Sequence, residues 1–135
     1  MTQPMTIKQA ADLAGVGVET VRFYEREEMI PEPPRTESGY RQYPQDTVSR
    51  IRFIKKAQSL GFSLPEIKEL LSLRMARNTK PEQIRRRAVK KLAEVEAKIQ
   101  ALQRIKTTLK EITEECCGKG PLSDCPILKA LEKEA

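Results

Sequence analysis

The stretch Val18–Leu73, VETVRFYEREEMIPEPPRTESGYRQYPQDTVSRIRFIKKAQSLGFSLPEIKELLSL, decides how this chain folds. It opens on VETVRFYEREEM, where Val18, Val21, Phe23 and Tyr24 alternate with Arg22, Glu25 and Arg26 as on a half-buried helix. Just upstream, Thr6 precedes IKQAADLAGV, with Ile7, Ala10, Ala11 and Leu13 on one helical face. Thr6 is placed to cap that helix, Gln9 holds the capping-box position, and Gly15 marks the stop. The turn between these segments is Gly15-Val16-Gly17. Two short helices joined by so short a glycine-containing turn form a helix-turn-helix pattern.

Residues 31–44, PEPPRTESGYRQYP, then break the periodicity. Their prolines exclude a helix, and ESGY supplies a turn. Arg35, Tyr40, Arg41 and Tyr43 flank that turn, so the segment reads as a hairpin or wing. A third helix is expected from about Gln45 to Ser59, with Val48, Ile51, Phe53, Ile54 and Ala57 as its apolar set and Gly61 beyond its end. In SLPEIKELLSL, Ser63 is the cap, Pro65 falls in the first turn, and Glu66 completes a capping box.

From Pro81 to about Glu115 there is no glycine and no internal proline. Ala88, Leu92, Val95, Ile99, Leu102, Ile105, Leu109 and Ile112 recur at spacings of four and three, a heptad seam with one phase slip. Such a helix is about 50 Å long. Nothing else in a chain of this size covers its stripe, which points to a two-chain coiled coil and a homodimer. The expected organisation is mainly α. A winged helix-turn-helix domain (1–79) precedes a dimerisation helix (80–115), then a loop with a short C-terminal helix (116–135).

The composition bounds the function. The net charge of +6 favours an anionic partner. Thr20, Arg22 and Tyr24 on the second helix are candidates for DNA contact, together with Arg35, Tyr40 and Arg41 of the wing. No apolar run is long enough for a signal peptide or a membrane span, so a cytoplasmic protein with no membrane partner is expected. There is no histidine, no glycine-rich phosphate loop, and no nucleophile beside a base, which argues against an enzyme. All three cysteines, Cys116, Cys117 and Cys125, fall in EECCGKGPLSDCPIL. In a reducing compartment, clustered thiols read as metal ligands or redox groups before structural disulfides. Thiolates select soft ions: Cu(I), Ag(I), Au(I), Hg(II), Zn(II), Cd(II) or Pb(II).

TVRFYE, GYRQY and LGFSLPEIKELL closely resemble the DNA-binding half of the MerR family of bacterial transcription regulators. The long helix and the terminal cysteine loop are similar to its metal-sensing branch, so the resemblance spans almost the whole chain. It implies a homodimer with a winged DNA-binding domain at each end of an antiparallel coiled coil. It also implies activation by bending and untwisting a promoter for RNA polymerase. The family's divalent-ion sensors carry a further Cys near the start of the long helix, where this chain has Pro81, or Lys80 in the adjacent register. Cys117 and Cys125, eight apart, match the copper and gold sensors, whereas the Cys116-Cys117 doublet is typical of the zinc, lead and cadmium sensors. The loop is a hybrid, with monovalent Cu(I), Ag(I) or Au(I) slightly favoured. The rival reading is an oxidant- or drug-responsive regulator on the same scaffold. It would require an aromatic pocket or an iron–sulfur cysteine set, and residues 81–135 contain no aromatic residue.

Overall fold

The computed structural model describes residues 5–34, 39 and 41–133. Six helices account for its regular structure: α1 (Ile7–Ala14), α2 (Val18–Arg26), α3 (Asp46–Ser59), α4 (Leu64–Met75), α5 (Pro81–Glu115) and α6 (Pro126–Glu132). Among the described residues there is no β-strand, only an isolated antiparallel bridge between Met5 and Tyr43. The fold is mainly α, as the periodicities predict. The chain divides into two compact units, Met1–Ala88 and Val89–Ala135, with α5 running across the division.

In the first unit, local chemistry sets the helix ends. Thr6 accepts from the Gln9 backbone N–H while the Gln9 side chain accepts from the Thr6 N–H. Ser63 and Glu66 repeat this reciprocal box at the start of α4, where Pro65 needs no amide hydrogen. Each box satisfies donors that an uncapped helix leaves bare, typically contributing about 1 kcal/mol. Gly15 closes α1 with φ 74°, a conformation that costs a side chain roughly 1–2 kcal/mol. The chain then needs only Val16 and Gly17 before α2 begins.

The core of this unit is small and shared. Ala10, Ala11 and Ala14 let α1 lie close to its neighbours, and Val21 and Tyr24 face inward from α2. Val48, Ile51, Ile54 and Ala57 form the inner stripe of α3, and Ile67 and Leu71 that of α4. Ile51, Ile54 and Ile67 are fully buried; each such side chain contributes about 1.5–3 kcal/mol through removal from water. Helix α3 also grips the turn before α2. The Arg52 guanidinium donates to the Leu13 carbonyl at 2.6 Å, and Lys55 Nζ donates to the Gly15 carbonyl at 2.8 Å. Both cations therefore cap the C-terminal carbonyls of α1.

Among the described residues, none in α5 is buried. Leu92, Ile99, Leu102 and Leu109 stand at 56%, 49%, 63% and 55% exposure. Beyond Glu115, Gly118 and Gly120 take positive φ and turn the chain through a 3-10 segment, Leu122–Asp124, into α6. No described helix is long and apolar enough to cross a membrane.

Candidate functional site

Two sets of residues carry chemistry, one in each unit. The first is the outward face of α2. Arg22 is exposed and pairs with Glu19 one turn away at 3.0 Å. A pair so open to solvent contributes little, so the guanidinium is free to exchange Glu19 for a stronger anion. Thr20 is half-buried beside it. Tyr24, expected at the contact surface, lies in the core instead at 2% exposure, and its hydroxyl donates to Gln58 Oε1 of α3 at 2.7 Å. Its role in this fold is to seat α2 on α3.

Arg41 also has a structural partner. Its guanidinium donates to Glu25 of α2 and lies 3.7 Å from Glu32. The Tyr43 hydroxyl donates to the other oxygen of the same Glu25 carboxylate. Tyr43 and Glu25 raise the affinity of the Arg41 guanidinium for its proton. The backbone of Tyr43 in turn exchanges two hydrogen bonds with Met5, at 2.9 and 2.7 Å. The Gln42 N–H donates to the Pro34 carbonyl at 2.9 Å, so the ends of the expected wing meet at its base. Arg35 and Tyr40 lie outside the described residues. A cleft lined by Thr6, Ile7, Arg22, Arg26, Gly39 and Arg41 opens between α2 and this base, with Glu25 and Glu32 also on its wall. It gathers three cations around two carboxylates that already have Arg41 as a partner. Sequence reading placed Glu25 among the solvent-facing charges of α2, and no local signal distinguishes it from Glu27 or Glu28.

The second set is the thiol loop. Cys116 follows α5 directly, and its N–H donates to the Thr113 carbonyl at 3.3 Å. Cys125 is the N-cap of α6, and its carbonyl accepts from Lys129 at 3.1 Å. Gly118 and Gly120 take positive φ in the loop that separates Cys116 and Cys117 from Cys125. The Leu128 backbone N–H, aided by that of Ile127 and by the Cys116 thiol, holds the Cys125 thiol below its ordinary value; modest desolvation opposes the shift. Cys117 is exposed, its Sγ 3.8 Å from the Lys119 carbonyl, whereas Cys116 and Cys125 are half-buried. Among the described residues no three Cys, His, Asp or Glu side chains converge as a ready metal site. Three thiols are the donor chemistry that would suit a soft ion.

Comparison with known proteins places both sets in context. Residues 5–73 match the family model described as MerR HTH family regulatory protein, and residues 48–112 match MerR, DNA binding. A mercuric resistance operon regulatory protein of Bacillus cereus is 41% identical over 128 residues, covering 95% of this chain and 97% of that protein. The structure of the regulator PbrR691 from Ralstonia metallidurans CH34 in complex with lead(II) superposes with a TM-score of 0.84 at 30% identity, covering 94% of this chain and 98% of that one. The regulator MerR of Bacillus megaterium MB1, in complex with mercury(II), gives a TM-score of 0.74 at 36% identity, covering 96% and 100%.

The Glu25 network carries a pH signature. Burial, and then the bond to Glu25, push the Tyr43 phenol from 10.0 up to about 12. A phenol that ionises less readily when folded lends stability that is complete below its unfolded pKa and is lost as pH rises through the folded one. Urea unfolding should therefore show stability falling above about pH 10, by about 2 kcal/mol at full ionisation. Tyr43→Phe should flatten this decline, leaving the smaller part due to Tyr24, whose phenol burial also raises. An equally steep decline in the variant would remove Tyr43 as its source.

Proposed function

The chain belongs to the MerR family of transcription regulators, and we propose that it is a metal-responsive regulator of heavy-metal resistance or homeostasis genes. The observation that carries this reading is the three free cysteines, Cys116, Cys117 and Cys125, gathered between the end of α5 and the start of α6, on a chain whose residues 5–73 match the family's regulatory model. Residues 1–79 serve as the DNA-binding segment, 80–115 as the dimerisation helix and 116–135 as the sensing segment. Thr20 and Arg22 meet DNA from α2, and Arg35, Tyr40 and Arg41 meet it from the wing. Tyr24 supports this surface from beneath. The protein acts in the cytoplasm on promoter DNA with RNA polymerase, as an activator that distorts the promoter and with no enzymatic role.

The effector is a soft thiophilic ion. The Cys116–Cys125 pair suits linear coordination of Cu(I), Ag(I), Au(I) or Hg(II), and recruitment of Cys117 gives the trigonal set that Hg(II) or Pb(II) accepts. Relatives named for mercury and lead support the divalent members of this group. Zn(II) or Cd(II) requires further donors from Asp124 or water. When bound, the ion supplies a bridge between the end of α5 and the start of α6. Before it binds, the backbone N–H groups of Leu128 and Ile127 hold the pKa of the Cys125 thiol below its ordinary value.

The exposed seam of α5 supports a homodimer. Two such stripes covering each other remove Leu92, Ile99, Leu102 and Leu109 from water, at roughly 25 cal/mol per Å² of apolar surface. Leu102→Glu places a charge in that seam, and sedimentation should then report dissociated or unfolded chains. A wild-type protein that sediments as a folded monomer contradicts the dimer.

Operator binding tests the DNA surface. Arg22→Ala should weaken it by about 1–3 kcal/mol if Arg22 reads a base. A phosphate contact would weaken all sequences alike and reduce the salt slope by about one unit. Unaltered anisotropy titrations would displace α2 from the interface. In-vitro transcription with Cu(I), Ag(I), Hg(II), Zn(II), Cd(II) and Pb(II) tests the effector. A soft ion should raise transcript from the cognate promoter. A Cys116→Ser, Cys125→Ser double variant should lose the response; full response to every metal in that variant would reject the site.

A further inference from the structure

We propose that Glu19 and Arg22 together read one C·G base pair in the major groove, which makes Glu19 a specificity-determining residue of the DNA surface. The inference rests on the reading of α2 as a DNA-contacting helix and adds to it the base pair that this helix selects. Glu19 lies in the first turn of α2, with its side chain 81% exposed. Its Oε1 accepts from Arg22 Nη1 at 3.0 Å, and the Arg22 side chain is itself 52% exposed. Both members of the pair therefore stand in solvent. Glu25, the other carboxylate of α2, is withdrawn from solvent and held by Arg41 and Tyr43.

A carboxylate on a surface that meets DNA is repelled by phosphate. In the major groove it finds donors at the exocyclic amino groups of cytosine and adenine. Adenine sets its N7 acceptor beside N6, where it repels the carboxylate. Cytosine N4 has no such neighbour on its own ring. Across the C·G pair, guanine offers O6 and N7, the two acceptors that suit a guanidinium.

The spacing agrees with this assignment. Cytosine N4 and guanine O6 are joined by the hydrogen bond of the base pair, about 2.9 Å long. The Oε1 and Nη1 atoms that would face them are 3.0 Å apart. N4 and Nη1 each carry two hydrogens. N4 gives one to O6 and one to Glu19, and Nη1 gives one to Glu19 and one to O6. The four atoms close a ring in which every donor and acceptor is used. Guanine is a neutral acceptor, so the ion pair persists beside it, whereas a phosphate would displace Glu19.

The test begins with selection of duplexes from a randomised pool by the unaltered full chain. Anisotropy titrations of the enriched duplex then follow, with 2-pyrimidinone, which lacks the N4 amino group, replacing one cytosine at a time. The proposal expects one C·G position at which this replacement weakens the wild type by at least about fivefold and Glu19→Ala by less than about twofold. Preferences at the other positions should be the same in both proteins. No cytosine whose amino group matters, an equal loss in both proteins, or a uniform weakening of all duplexes by Glu19→Ala would each overturn it. The last result would reduce Glu19 to a support for the start of α2. A wild-type chain that enriches no duplex would overturn the proposal together with the DNA-binding reading, whereas the other outcomes leave that reading standing.

Discussion

Glu25 places a carboxylate on α2 with a side chain only 8% exposed. A charge so far removed from water costs several kcal/mol unless it is paired and hydrogen-bonded. Arg41 and Tyr43 supply both partners, one to each oxygen. Because Tyr43 also bridges Met5 through its backbone, a single carboxylate fixes three things. It sets the approach to α1, the rotation of α2, and the base of the segment closed by the Gln42–Pro34 bond. The face left outward on α2 is then the one bearing Glu19, Arg22 and Arg26. A surface that reads DNA needs this rigidity, because base contacts discriminate only when their donors are held in register.

The second unit obeys a different constraint. Among the described residues none of its long helix is buried, so its stability depends on what it meets. At its end, the thiol loop has little apolar packing to hold it, with Leu122 and Leu131 largely exposed. A loop of this kind is readily reorganised, and a bond between two sulfurs through a metal is strong compared with the contacts it rearranges. That contrast makes the loop suited to sensing: a rigid reading surface in one unit and a loop in the other whose geometry a small chemical event can reset.

Much of this architecture was legible in the residues because the determinants are local. Thr6 with Gln9, and Ser63 with Glu66, announce helix starts three residues apart, and both boxes form. The glycine-free run from Pro81 to Glu115 became one helix with those bounds. What escaped was long-range. Tyr24 was read as a DNA contact, and its bond to Gln58, 34 positions on, places it in the packing instead. Nothing local in the sequence of α3 marks Arg52 and Lys55 as bound to carbonyls about 40 residues earlier. The sulfur pairing was read as Cys117 with Cys125, with Cys116 as the residue that separates monovalent from divalent sensing. Consecutive residues at a helix end project about 100° apart, so whether Cys116 or Cys117 faces Cys125 depends on the rotation of the last turn. The spacing of eight or nine carries no information about that rotation.

The central claim is that soft metal binds through the sulfurs of Cys116 and Cys125. X-ray absorption at the metal edge, on protein holding one equivalent of mercuric ion, tests it directly. The account predicts a first shell of sulfur, lost in the Cys116→Ser, Cys125→Ser variant. A shell of oxygen and nitrogen, or an unchanged sulfur shell in that variant, would contradict it.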